Sequence, residues 1–328
     1  MSETLQLYPA HADHMSYYKA NYVANMLKDE FVIAQPKYDG ERMLIHIDGE
    51  NVYCTSRRFS KKTNKYMENQ DKLPILKEVF KNWTLGYTVI DCECYSDDWS
   101  TVVGILHSLP ERAIELQKKS TVKFAVFDCL YFDGVDIRNK QYLDRLKFTS
   151  EVINIANYEN LHLVKFMTYD KDWKISDIEH SVCLGTKEDV ERCMNLAIDN
   201  GFEGIVIKSL QRKYYDKGAI MKCKKFETVD VVVCGYKDGT GKYKDSVGAL
   251  QVGYYVPTTG TFIKVSNVNC STDEERELWN NNREKMIGTV IEIKCQEITD
   301  TSFRHPVYIR RRDDKDYTMC TKDTIFKE

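Results

Sequence analysis

The six residues Lys37-Tyr38-Asp39-Gly40-Glu41-Arg42 constrain this chain more than any other segment. They come two residues after the apolar run Phe31-Val32-Ile33-Ala34. A buried strand has to deliver a lysine to an Asp-Gly turn, and the chain has to continue beyond it. The spacing K-x-D-G-x-R suits a lysine nucleophile that attacks phosphorus. Lysine becomes a better nucleophile when neighbouring positive charge lowers its pKa. Glycine lets the backbone come close to a bulky ligand. Arginine offers a planar fork to phosphate or ribose oxygens. Alone, such a segment also describes a strand, a turn and some solvated charges, so residues further along must decide.

The chain continues with Met43–Ile47, Asp48-Gly49 and Asn51–Thr55, a pattern that predicts a β-hairpin with a primed turn. Further strands are expected at Thr88–Tyr95, Val122–Asp128 and Gly204–Lys208. Lys187–Asp199 predicts a helix, with Thr186 as N-cap and Asn200-Gly201 as its stop. Antiparallel sheet with helices packed on it is therefore expected for the first two-thirds.

After Glu227 the pattern changes. Val229–Gly235 and Val247–Val256 are β-forming, and Thr258–Gly260 turns into Phe262–Ser266. A helix opens at Ser271 or Thr272, where Thr272 and Glu275 have capping-box spacing, and Ile287–Gln296 is the next strand. Strands around one helix suit a small β-barrel of the OB kind. These readings divide the chain into residues 1–228 and 229–328.

Hydrophobic content of 42% and charged content of 30% describe an ordinary globular chain, and 328 residues leave room for one or two domains. A net charge of -3 argues against a sequence-independent DNA coat protein, but not against a locally basic groove. The second segment is balanced too, with 15 Lys+Arg and 16 Asp+Glu. None of the 11 cysteines forms a C-x-x-C pair, so reduced thiols in a cytoplasmic compartment are expected rather than a zinc or redox site. No targeting signal and no run of transmembrane length is read, so no membrane partner is expected.

Several later clusters could serve a lysine nucleophile. Ser56-Arg57 ends the hairpin and is followed by Arg58, Lys61, Lys62 and Lys65. Asp91-Cys92-Glu93 sits on an apolar strand. Phe124-Ala125-Val126-Phe127-Asp128 runs on to Phe132-Asp133-Gly134. Glu203-Gly204-Ile205-Val206-Ile207-Lys208 puts a carboxylate at the mouth of a buried strand, where a divalent ion could bridge it to phosphate. Lys222-Cys223-Lys224 would send two ammonium groups to one strand face, suited to an α-phosphate. Arg312-Asp313-Asp314-Lys315 comes near the end, just after Arg304, Arg310 and Arg311.

In this order the clusters resemble the motifs of the ATP-dependent DNA ligases of the small phage and viral kind, in the covalent nucleotidyltransferase superfamily. The resemblance spans about Phe31 to Lys315, with Cys92 standing where the family's D-G-E element has glycine. It implies an α+β fold: a nucleotidyltransferase (ATP-grasp-like adenylation) domain of antiparallel sheets with helices, followed by a small OB-fold barrel. Gly239-Thr240-Gly241-Lys242, Gly248-Ala249-Leu250 and Thr272–Arg276 resemble parts of that barrel domain.

The implied roles follow motif by motif. Lys37 is the nucleophile, with Asp39 beside it; Gln35 contacts the adenine edge and Phe127 stacks on the base. Arg42, Arg57 and Glu93 contact the nucleotide, Lys222 and Lys224 hold the α-phosphate, and Glu93 and Glu203 hold Mg²⁺ or another divalent metal. Arg312 and Lys315 hold the pyrophosphate. The implied activity is sealing of 3′-OH/5′-phosphate nicks in duplex DNA with ATP, in replication, repair or recombination, by a monomer. Rival readings are an mRNA-capping guanylyltransferase using GTP, an RNA ligase, and a nucleic-acid-binding adaptor with a decayed site. An NAD-dependent ligase is disfavoured, because 36 residues precede Lys37 and no zinc-type cysteine set is seen.

Overall fold

The turn after Lys37 carries the chain from one sheet into another. The computed structural model describes residues 13–14, 30–170, 172–176, 184–224, 226–269, 272–299 and 301–326, the side chains of 13–14, 168–170, 172–176 and 242 excepted. Ser271 and the Lys242 side chain therefore lie outside the described residues. Two compact units, Met1–Lys224 and Lys225–Glu328, make up the chain.

Strands β1 (Asp13–His14) and β2 (Val32–Lys37) belong to a four-stranded sheet. Strands β3 (Glu41–Asp48) and β4 (Asn51–Ser60) form the expected hairpin, and β5 (Lys65–Glu68) continues beside β4. Next come α1 (Ile75–Val79), β6 (Thr88–Tyr95), α2 (Trp99–His107), α3 (Pro110–Gln117), β7 (Lys123–Phe132) and β8 (Val135–Asp136). Helix α4 (Tyr142–Ala156) precedes β9 (Leu161–Leu163), β10 (Phe166–Asp170) and β11 (Asp172–Ser176). Seven strands form one sheet in the order β5-β4-β3-β6-β7-β8, with β9 also on β7. Helix α5 (Lys187–Asp199), β12 (Gly204–Ser209) and β13 (Ile220–Lys224) complete the unit, and the smaller sheet runs β1-β13-β12-β2.

Alternation along β12 explains how the sheets pack. Ile205 and Ile207 point into a cluster with Val190, Cys193 and Ala197 of α5. Val206, on the opposite face, packs with Leu44, Val89 and Leu130 of the large sheet. Burying both faces fixes the register. A capping box holds the start of α5, with Thr186 accepting from the Asp189 N–H and the Asp189 carboxylate accepting from the Thr186 N–H.

The second unit opens with β14 (Glu227–Asp238), followed by β15 (Val247–Val256), β16 (Thr261–Asn269) and α6 (Asp273–Asn281). Strands β17 (Val290–Cys295), β18 (Glu297–Ile298), β19 (Phe303–Arg304), β20 (Val307–Arg311) and helix α7 (Lys322–Phe326) follow. Strands β14-β15-β16-β20-β17 close into a barrel around Val231, Val233, Leu250, Val252 and Ile291. Thr272 caps α6 through the Thr272/Glu275 box.

Some boundaries differ from the expected ones. The strand expected at 287–296 begins only at Val290, because Arg283–Met286 is a 3-10 turn that buries Met286 and the Gly288 N–H bonds the Val233 carbonyl at 2.9 Å. β7 outruns the expected end at Asp128 by four residues. Among the described residues no helix is long and apolar enough to cross a membrane.

Candidate active site

Register brings the first constellation together. On the small sheet Lys37 pairs with Gly204, and Gly204 pairs with Lys224, so three strand ends lie in one row. The Glu203 N–H bonds the Lys37 carbonyl at 3.1 Å. Its carboxylate then sits between two ammonium groups: one oxygen accepts from Lys37 Nζ and the other from Lys224 Nζ. All three side chains are mostly buried, at 18%, 12% and 15% exposure for Lys37, Glu203 and Lys224. Burial pushes the Glu203 carboxyl up, but Lys37 and Lys224 outweigh it and hold it below the ordinary carboxylate range.

Glycine makes this row possible. A Cβ on Gly204, whose φ is +152°, would collide with the Cys223 carbonyl of the neighbouring strand. A Cβ on Gly40 would collide with the Cys94 carbonyl.

Lys222 lies two residues before Lys224 and opposite Val206. Burial lowers its pKa, and Arg57, Lys224 and Lys37 push it the same way. The two sequence-predicted lysines and the nucleophile candidate thus share one electrostatic neighbourhood, and Arg57 borders it.

The large sheet supplies the other wall. Arg42 is directly opposite Glu93 and diagonal to Asp91. Its Nε and Nη2 donate to the two Asp91 oxygens at 2.9 and 2.6 Å, and Nη2 reaches Tyr214 Oη at 3.2 Å. Tyr214 in turn donates to Asp91. Burial opposes the Arg42 charge, but Asp91, Tyr214 and Glu93 raise its pKa despite that. Arg42 is therefore a clamped guanidinium in this structure rather than an open fork. Asp91 is the residue that sequence reasoning passed over, having weighted Glu93 alone in that triplet.

Burial pushes the Glu93 carboxyl up to about 7; Glu203 and Asp91 add to this, and Lys37 and Arg42 oppose it. The Glu93 carboxylate takes no hydrogen bond from the described residues. Among those residues no three His, Cys, Asp or Glu side chains gather into a complete metal cage. Two acids near a phosphate-sized cationic row still fit Mg²⁺, which takes one or two carboxylates with phosphate oxygens and water.

A buried polar network backs the Phe127 ring. Lys208, only 2% exposed, donates to the Phe127 carbonyl at 3.0 Å and to Tyr142 Oη at 3.2 Å. Its Nζ lies 4.6 Å from the Phe127 ring centroid and 4.3 Å from that of Tyr142. Burial pushes the Lys208 pKa down to about 7, against the pull of Asp128 and Asp91. The Arg42 guanidinium carbon is 5.2 Å from the Phe127 centroid. Gln35 is 1% exposed and donates to Tyr142 at 3.1 Å, so it meets this network rather than open space. The signal for Lys208 was its parity with Val206 on β12, which aims both at the larger sheet. Arg145 pairs with Asp128 beneath, at 2.8 and 2.9 Å.

Asp39 is half-buried in the turn after β2. Arg312 and Lys315 lie in the second unit, where both pair with Asp230; Arg312 Nη1 is 3.0 and 3.1 Å from its oxygens. Arg312 also forms a fork with Asp314, at 2.8 and 2.7 Å.

The ATP-dependent DNA ligase domain model matches residues 11–224 of this chain. The chain belongs to the ATP-dependent DNA ligase family. Similar proteins include DNA ligase 2 of Korarchaeum cryptofilum, 31% identical over 265 residues, with 74% of this chain and 40% of that protein covered. The DNA ligase of Methanocaldococcus jannaschii is 28% identical over 229 residues, covering 66% and 39%. The chain thus spans about two-fifths of the length of these relatives. Among solved structures, the ligase Pmar-Lig_PreS3 superposes with a TM-score of 0.67 at 18% identity, covering 94% of this chain and 68% of that one. A Lig E DNA ligase gives 0.63 at 16% identity, covering 93% and 99%. At these identities the two structures speak for the fold, an adenylation domain joined to an OB barrel. The expected α+β class and the family resemblance both hold.

Proposed function

We propose that this chain is an ATP-dependent DNA ligase that seals 3′-OH/5′-phosphate nicks through a lysyl-AMP intermediate. The observation that carries the reading is the row Lys37–Glu203–Lys224, a buried lysine held by a carboxylate beside further cations. Lys37 Nζ attacks the α-phosphorus of ATP; the N–P bond forms as the P–O bond to pyrophosphate breaks. Before attack the ammonium must give up a proton to solvent, and Glu203, already its hydrogen-bond partner, holds Nζ in place. Lys222 and Lys224 face the charge that builds on the phosphoryl oxygens, and positioning with charge neutralisation is most of such catalysis. A divalent ion on Glu93 and Glu203 would add neutralising charge there. AMP then passes to the 5′-phosphate of a nick, and the 3′-hydroxyl displaces AMP to seal the strand. Phe127, packed against Lys208 and Arg42, supplies the adenine platform.

Incubation with α-labelled ATP or GTP and Mg²⁺ tests this reading. ATP labels the protein, GTP does not, and Lys37→Ala removes the label. Persistence of the label in the Lys37 variant, or preference for GTP, overturns the assignment. Glu203→Ala should fold and lose on the order of 10²–10³ in rate, the usual cost of one stabilising group.

A further inference from the structure

The basic stretch after Arg57 has no task in the chemistry above, and its structure is unusual. β4 pairs with β3 only as far as Ser56, opposite Met43. Beyond that point, among the described residues, β4 pairs only with β5, through Phe59 opposite Tyr66 and Ser60 opposite Lys65. A two-stranded ribbon therefore runs past the edge of the sheet. A register irregularity between Thr55 and Phe59 marks where it departs. The tip is an ordered turn, with Asn64 at φ +53° and the Thr63 N–H on Ser60 Oγ at 3.3 Å.

The chemistry of this ribbon is one-sided. From Arg57 to Met67 it carries Arg57, Arg58, Lys61, Lys62 and Lys65 and no acid. Among the described residues only Arg58, at the base, pairs with an acid, reaching Glu41 at 3.4 Å. Glu68, the next acid along, accepts from Gln70 at 3.0 Å. Lys61, Lys62 and Lys65 are exposed. Phe59 is 49% and Met67 44% exposed, and the Phe59 ring meets Tyr66 edge-on at 5.3 Å. Isolated ribbons are marginal in water, so exposed apolar groups amid unscreened cations are costly unless something covers them. The base of the ribbon lies at Arg57, already beside Lys222 and the phosphate-facing row. A polyanion entering that row would run onto the ribbon.

We propose that Arg57–Met67 is a DNA-gripping arm that lies along the sugar-phosphate backbone of the duplex, with Lys61, Lys62 and Lys65 on phosphates and Phe59 against the sugars. A β-ribbon is slim enough to follow a groove of the duplex. The arm supplies affinity and register, not bond chemistry. This inference rests on the ligase reading for its partner, and its test is separable from that reading.

Equilibrium binding of a fluorescent nicked duplex is measured against salt, without ATP, for the parent and for Lys61→Ala/Lys62→Ala/Lys65→Ala. Each phosphate contact contributes about 0.9 to the slope of log affinity against log salt. Losing three flattens the slope by about 2.7, so between 50 and 200 mM salt the parent should lose about 40-fold more affinity than the variant. The triple Lys→Arg variant should keep the parental slope. Phe59→Ala should weaken binding at every salt concentration without changing the slope. Lysyl-AMP formation should be unchanged in the triple variant, which also shows that it folds. A parental slope and affinity in the triple alanine variant overturn the arm. Failure of the parent to take label from ATP overturns the ligase reading and leaves the binding result to stand by itself.

Discussion

Gly204→Ala is the substitution that the site should tolerate least for its size. β12 is the central strand between β2 and β13, and Gly204 sits at the row that aligns Lys37 with Lys224. Its φ of +152° lies outside the range that side-chain-bearing residues favour, and the added methyl would collide with the Cys223 carbonyl. Backbone strain of this kind costs ~1–3 kcal/mol, and forcing a methyl into filled space costs ~1–3 kcal/mol more. The total, ~2–6 kcal/mol, is a large part of the ~5–15 kcal/mol that holds a typical fold. For a unit of this length that corresponds to a melting point lower by roughly 5–20 °C. The chain can relieve the clash only by moving β13 away, which carries Lys222 and Lys224 with it. A displacement of about 1 Å in a catalytic group can cost ~10²-fold in rate. Thermal denaturation followed by circular dichroism reads the first effect. Single-turnover formation of lysyl-AMP, at a temperature where the variant remains folded, reads the second. A variant that melts within about a degree of the parent and labels at the parental rate would refute the argument that this glycine sets the row.

Other consequences are open to measurement. Lys315→Ala should cripple lysyl-AMP formation and largely spare sealing of a nick already carrying 5′-AMP, because pyrophosphate is present only in the first step; Lys222→Ala should harm both. Equal damage by Lys315→Ala in the two assays would reassign it to DNA contact or to barrel stability. Asp230 holds both Arg312 and Lys315, so Asp230→Asn should release them and speed lysyl-AMP formation at low ATP; an unchanged or slower rate would show that the pairing orients rather than restrains. His46 is fully buried between Tyr87 and Thr55, and burial pushes its pKa down to about 3. The unfolded chain then binds the extra proton below about pH 6.5 while the folded one does not until about pH 3. Its contribution is complete above the unfolded value and fades as pH falls, with a slope approaching about 1.4 kcal/mol per pH unit. Urea denaturation from pH 7 to pH 4 should show His46→Gln less acid-sensitive than the parent, and identical slopes would refute the assignment.

Much of this protein is written in local signals. The hairpin, the caps at Thr186 and Thr272 and the alternation along β12 each depend on a few neighbouring residues; the caps formed where the sequence placed them, while the hairpin turn lies one residue later than expected, at Gly49-Glu50, with Asp48 paired to Asn51. Lys37, Glu203 and Lys224 could be singled out because their spacing and strand parity are readable along one dimension. The helices Trp99–His107, Pro110–Gln117 and Tyr142–Ala156 were not foreseen. The first two are short, and the third carries buried Arg145 and Thr149 on the face that periodicity expects to be apolar. Which groups pair was decided only by the tertiary fold. Arg42 meets Asp91 across 49 residues and Tyr214 across 172, and Glu203 meets Lys37 across 166. Such pairings depend on strand order and register, which no local spacing encodes. Burial then sets the chemistry: the same lysine type is solvated at Lys61, in the turn of a ribbon that runs past its sheet, and lies close to two aromatic rings at Lys208, on a strand face that packs against a second sheet.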